Sequence, residues 1–303
     1  MPNPPWQRLT RDQLVTIIGD YYKFLTTFYI PSSALKFPPP GGWPNITPET
    51  TKDFPRSPIV VDPLRHLPYI DEKESGNMIT HIHYKCNVVD YSTVKPDQWG
   101  HEDFQLGASS IIEWIEELRG DDLNEDYDDD DEGYLWYRDE SRDKDFDKEE
   151  NWWNGDDPEE IKLENMVVLA DGYESGGRCL VLDVFKGNIH EDMTSCNLLS
   201  EVPVEQFFAR LKTKLENLEM VPVPGKKGYE GDMYGDVQGV PEVDVLDEPL
   251  VEGDPAQQYK RIYRSFGWPG EMYRKEEALV AISAHIQRRL EAEEAWYEEQ
   301  GSS

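Results

Sequence analysis

The amino-acid sequence predicts an α+β fold in which a β-meander is flanked by helices. Apolar residues recur at helical spacing over residues 11–29, which indicates a helix with one buried face. Two runs rich in Val and Leu, at 166–169 and 179–185, are joined by a glycine-rich turn and indicate adjacent strands. Pro203 then precedes a third region, whose apolar residues again recur at helical spacing. The 303 residues suffice for one large domain or two small ones.

The first helix has a recognisable beginning and end. Thr10 and Gln13 fit a capping box, because the Thr10 hydroxyl and the Gln13 side chain can each accept a hydrogen bond from an exposed backbone N–H at the start of the helix. Pro31 ends the apolar pattern. A second helix is predicted from Ser57-Pro58 to Leu67, and Pro63 within it is expected to kink or shorten it.

Residues 78–88 alternate between apolar and polar and therefore predict a strand with one buried side. His81 and His83 lie on its polar face. Two histidines on one face can begin a zinc site, but zinc needs three or four ligands and no further ligand has a spacing tied to this strand. A solvated polar face is the favoured interpretation.

The remaining chain divides by composition. A helix is predicted over 109–118, and an acidic insertion over 120–160 within an α+β domain spanning 1–221. Residues 222–255 are rich in Gly, Pro and acids, which favours a linker or extended arm. Residues 256–303 are predicted to form a C-terminal helical segment.

The insertion has the strongest charge in the chain. Residues 121–150 contain sixteen Asp and Glu against four Lys and Arg, a net charge of −12. Such a block is typical of a solvated loop. Asp128, Asp130, Glu132 and Asp139 match the first, third, fifth and twelfth positions of a calcium loop, but the twelfth normally requires Glu. Weak, charge-driven cation association is therefore favoured over a calcium site.

Composition also excludes several classes of protein. The net charge is −32, whereas phosphate-backbone binding needs clustered Lys and Arg, so direct nucleic-acid binding is not expected. No apolar run reaches the roughly 20 residues that span a bilayer. The N-terminal residues lack a secretory signal pattern, and three widely spaced cysteines suggest reduced thiols, so an intracellular location, cytoplasmic or nuclear, is expected.

The order of elements resembles the SUKH superfamily, which is named for fungal cell-wall assembly regulators and related bacterial immunity proteins. The segments that carry the resemblance are the first helix with Ile30-Pro31 and the Gly-Gly-Trp-Pro turn, the hairpin over 167–183 with its Ser-Gly-Gly turn, and the helix over 204–218. Residues 64–70 and Phe266-Gly267-Trp268-Pro269 resemble a branch from filamentous fungi. The resemblance implies an α+β fold and a protein-binding role, without a shared catalytic constellation.

Three functions follow as hypotheses. The leading one is a non-enzymatic binding protein, needing no cofactor, whose acidic surface docks a basic protein; the contact residues would be Asp128, Asp129, Asp130, Asp131, Glu132, Trp136, Trp152 and Trp153. The second is a carboxylate-based or cation-dependent enzyme. The third is a scaffold that pairs through the C-terminal helix. A nucleophile paired with His190 is not favoured: Ser175 lacks the motif context of a nucleophile, Cys179 falls within an apolar strand and is predicted to be a core residue, and Cys196 lies in a loop without a fixed partner. The turn at 172–177 joins two strands, so it has no helix N-terminus to hold phosphate.

Overall fold

The structure is a computed structural model that describes residues 8–75, 79–100, 162–173, 176–193, 197–198, 201–224, 232–234 and 255–301. Within these ranges the α-helices are α1 (Arg11–Phe28), α2 (Pro58–His66), α3 (Val204–Asn217), α4 (Pro255–Ser265) and α5 (Lys275–Gly301). None of these helices combines the length and apolarity required to cross a membrane. The helix predicted over 109–118 lies outside the described residues.

A six-stranded antiparallel sheet forms the centre of the protein. Its strands are β3 (Cys86–Val88), β4 (Met166–Gly172), β5 (Arg178–Asp183), β6 (Asn188–Met193), β7 (Asn197–Leu198) and β8 (Val202–Pro203), and β7 and β8 both pair with β6. The predicted meander corresponds to β4, β5 and β6, and the predicted α+β class is confirmed. β1 (Leu35–Lys36) and β2 (Tyr69–Ile70) form a separate small sheet.

The turn between β4 and β5 requires glycine at position 177. A Cβ atom at Gly177 would lie 2.5 Å from the carbonyl oxygen of Tyr173, closer than side chains are found. Only glycine therefore permits the two backbones to approach in this way. The turn joins two strands, as the sequence predicts.

The helix α1 begins and ends where the sequence predicts. The Thr10 hydroxyl accepts from the Gln13 N–H, and the Gln13 side chain accepts from the Thr10 N–H, which completes the capping box. The buried face of α1 packs on α3 and on the helix-facing side of the sheet, and its fully buried members include Leu14, Ile18, Leu25 and Phe28. Helix α2 begins at Pro58 and keeps Pro63 within its nine residues.

The strand predicted over 78–88 is wrong for most of its length. Only Cys86–Val88 is a strand, because the chain reverses at Tyr84-Lys85, where Lys85 takes a left-handed conformation with φ +43°. The Ile82 N–H donates to the Cys86 carbonyl at 2.8 Å, which closes this tight turn. The alternation of apolar and polar residues over 78–88 predicted a single strand, whereas contacts with residues distant in sequence stabilise a tight hairpin turn here.

Two short strands lie within the range predicted as a linker or extended arm. β9 (Val221–Val223) pairs with β10 (Asp232–Tyr234), and Val223 and Met233 belong to the same core as α1. The Tyr263 hydroxyl of α4 donates to the Pro222 carbonyl at 2.7 Å. At these residues the chain is therefore paired and buried. The sequence did not predict the two strands because three residues are too few to give a recognisable pattern.

Candidate functional site

The contact residues predicted from the sequence lie outside the described residues. Asp128 to Glu132, Trp136, Asp139, Trp152 and Trp153 all fall within 101–161. The structure therefore neither assembles nor separates them, and the acidic docking site stays a prediction. Ser175 and Cys196 also lie outside the described ranges.

A buried cluster of charged side chains lies between the sheet and α3. Arg178 on β5 and Glu191 on β6 are diagonal neighbours on the helix-facing side, with Arg178 Nε 3.0 Å from Glu191 Oε1. His83 Nε2 lies 3.1 Å from the same oxygen. The Phe207 ring of α3 covers His83 at 6.1 Å. One carboxylate therefore joins the turn at residue 83 to two strands.

The hydrogen bonds of His83 define its tautomer. Its Nδ1 accepts from the Tyr84 N–H at 2.8 Å, so in this arrangement the ring proton is on Nε2, which donates to Glu191. Burial alone would raise the pKa of Glu191, but His83 and Arg178 outweigh it and lower that pKa. The carboxylate is therefore held ionised by these two neighbours, as in a structural ion pair, whereas Arg178 Nε and Nη1 are buried without a hydrogen-bond partner among the described residues.

His81 is also buried, which contradicts the predicted solvated face. It is 0% exposed and His83 is 5% exposed. The Tyr173 hydroxyl lies 2.6 Å from His81 Nε2, and the Tyr21 hydroxyl of α1 donates to the Ile82 carbonyl at 2.6 Å. The histidines turn inward because each finds a hydrogen-bonding partner that is distant in sequence.

Neither described cysteine has the surroundings of a nucleophile. Cys179 lies within β5 and Cys86 within β3, and both are buried. Burial raises the pKa of each thiol well above its usual value, which disfavours the reactive thiolate. The prediction that Cys179 is a core residue is confirmed. In the described part of the chain, no group of three or more His, Cys, Asp or Glu side chains is arranged to hold a metal ion.

A surface depression of about 380 Å³ lies where α1, α3 and the α4–α5 turn meet. Its walls combine aromatic and acidic side chains, together with Thr27 and the backbone around Pro269; the side chains concerned are Phe24, Glu216, Trp268, Glu271 and Tyr273. Sequence reasoning missed this site because its members come from three separated segments. In the sequence, Trp268-Pro269 is distinguished only by its place in a stretch that resembles the filamentous-fungal branch.

The far half of α5 projects from the body. Ile286 is the last buried residue described on this helix, which continues to Gly301. At 1.5 Å per residue, residues 287–297 span about 16 Å, and Arg289 among them still contacts the Tyr259 hydroxyl of α4 at 3.3 Å. Trp296 is 55% exposed and Tyr297 61% exposed, and their rings contact each other at 5.1 Å. Glu291, Glu293 and Glu294 are exposed beside them. We call residues 287–297 the α5 extension.

The fold and these surfaces define an α+β protein with a buried structural ion cluster and acidic, aromatic surface features. The chain matches no protein-family model, no curated protein and no solved structure.

Proposed function

We propose that the protein is a non-enzymatic, SUKH-like binding protein whose acidic surface docks a basic protein partner. The observation that carries the proposal is the α5 extension, where two exposed aromatic rings lie among glutamates. Large aromatic side chains are costly to leave in water and are frequent anchors of protein interfaces.

Charge supports the choice of a basic partner. A net charge of −32 attracts cationic proteins over long distances and accelerates their encounter, an effect that weakens as salt rises. Residues 121–153 show the same alternation of acids and aromatics in the sequence as the α5 extension. We therefore assign both segments to partner binding, with Asp128–Glu132 supplying attraction and Trp136, Trp152 and Trp153 supplying anchors.

The buried chemistry supports a binding role over catalysis. In the His83–Glu191–Arg178 cluster the carboxylate already contacts two side chains of the protein, and the described thiols are buried. The segments that resemble the SUKH superfamily include those that form α1, β4, β5 and α3, and that resemblance implies protein binding.

Affinity capture at low and high salt tests this proposal. We would compare the unaltered protein with a deletion of residues 121–150 and with Trp296→Ala/Tyr297→Ala. Phe37→Ala is the matched control, because Phe37 is an exposed aromatic residue (54%) elsewhere on the surface. We expect a basic protein whose recovery falls with salt and with both binding variants but not with Phe37→Ala. Identical recovery by all four forms would contradict the proposal.

A second candidate is a scaffold that pairs through α5. The α5 extension of about 16 Å favours it, since an isolated helix of this length is marginal in water and gains stability from a partner. Light scattering decides between self-pairing and binding another protein. A strictly monomeric protein at tens of micromolar would rule out self-pairing.

A further inference from the structure

We propose that the depression formed by Phe24, Glu216, Trp268, Glu271 and Tyr273 binds a lysine or arginine side chain of the basic partner. This inference rests on the proposed function and assigns it a specific contact. It concerns a site whose residues lie outside both segments assigned to partner binding.

The aromatic wall is rigid and therefore preorganised. The Trp268 ring stacks on Phe28 with centroids 3.7 Å apart and planes 7° apart. Its Nε1–H donates to the Leu215 carbonyl at 3.0 Å, which fixes the rotation of the indole. Phe24 lies 5.7 Å from Trp268, and Tyr273 lies 5.1 Å from it, edge to face. Trp268 is only 6% exposed, so it chiefly supports the half-buried rings of Phe24 and Tyr273, which a ligand meets without further ordering.

The electrostatics of the depression favour a cation. The faces of aromatic rings carry negative potential, and two carboxylates, Glu216 and Glu271, lie at the same depression. Among the described residues, Glu271 makes no ion pair, and Glu216 pairs only with Lys212 at 3.9 Å. Negative charge is therefore available to a ligand.

The protein already places one of its own cations against this wall. Lys212 Nζ lies 5.2 Å from the centroid of the Phe24 ring, within the range of a cation–π contact. Lys212 is about half exposed, so it can move away at little cost. We infer that it mimics the ligand and competes with it.

The shape of the depression fits a side chain presented by a protein. The alkyl stem of Lys or Arg would pack on the rings while its charged head meets the carboxylates. Met272, 85% exposed and adjacent to the lining residues in sequence, offers apolar surface for the neighbouring part of the partner. A free small cation would gain only the charged contacts.

The test uses a fluorescently labelled hexa-arginine peptide as the probe and the full chain. Anisotropy measures affinity, and ¹⁹F NMR of 5-fluorotryptophan protein reports on Trp268, whose resonance is identified with Trp268→Phe. Glu216→Gln/Glu271→Gln is compared with Glu205→Gln/Asp97→Asn, a control that removes the same charge at exposed positions elsewhere. Unchanged dispersion of the other ¹⁹F resonances shows that each variant is folded.

We expect the peptide to shift the Trp268 resonance, and the Glu216/Glu271 variant to bind about 5- to 20-fold more weakly than the control. Lys212→Gln should bind about 2- to 5-fold more tightly, because the internal competitor is removed. Equal affinity of the two double variants with an unmoved Trp268 resonance would overturn the inference and leave the proposed function standing. Failure of the unaltered protein to bind the peptide at low salt would overturn both.

Discussion

His285 offers the most direct test of the physical reasoning, because it is a titratable group buried without a hydrogen bond. The residue is 0% exposed on α5, and neither ring nitrogen has a hydrogen-bond partner among the described residues. Its ring meets Tyr259 of α4 edge to face at 5.3 Å. Burial first, then Arg288 and Arg289, lower the pKa of His285 below its usual 6.5.

The sign of the pH effect follows from this lowered pKa. Below pH 6.5 the unfolded chain takes up a proton at His285 that the folded protein resists, so stability falls as pH falls. A single group with a lowered pKa contributes at most about 1.4 kcal/mol per pH unit. Between pH 7.5 and 5.5 such a group therefore accounts for at most about 1.4 kcal/mol, since nearly all of the loss occurs below pH 6.5.

We propose His285→Phe, which keeps the aromatic contact with Tyr259 and removes the titration. Urea unfolding at both pH values gives the free energy of unfolding of each protein. The difference, unaltered protein minus variant, should fall on going from pH 7.5 to 5.5, by at most about 1.4 kcal/mol. All other histidines are common to both proteins and cancel. Parallel pH profiles would show that His285 is solvated or paired and would refute the reasoning.

Three further predictions concern the described core. Glu191→Gln should lower the free energy of unfolding by about 3–5 kcal/mol in chemical denaturation, because Arg178 would remain buried without its counter-ion; a loss below 1 kcal/mol would mean that solvent screens the pair. Thr10→Ala should cost about 1 kcal/mol through the lost cap, measured the same way, and Thr16→Ala on the exposed side of the helix serves as the comparison. Cys86 and Cys179 should stay unmodified by a thiol reagent until the protein unfolds; mass mapping that finds either one labelled in the native protein would contradict their burial.

The parts of the fold that were predictable are those whose pattern is local. The buried stripe of α1, its Thr10–Gln13 cap and the glycine turn between β4 and β5 each depend on residues close in sequence. The reversal at Lys85 was not predictable, because what stabilises it comes from Tyr21, Tyr173 and Glu191, which are far away along the chain.

The candidate sites show the same division. Acids and aromatics of the α5 extension are neighbours in the sequence, so their pattern is visible there. The depression near Trp268 brings together side chains from positions 24, 216, 268 and 273, and only the folded chain shows that they meet. A pattern that depends on tertiary packing leaves no periodic trace in the sequence.

The anchoring of α1 by residues near the other end of the chain has a consequence for biosynthesis. Lys275 Nζ donates to the carbonyls of Thr26 at 2.8 Å and Ile30 at 2.7 Å, and the Tyr273 hydroxyl donates to Phe28 at 3.1 Å. A nascent chain cannot make these bonds until residues 273–275 have left the ribosome. Until then, the carbonyls at the end of α1 lack the Lys275 and Tyr273 donors, and Phe28 lacks the stacked ring of Trp268.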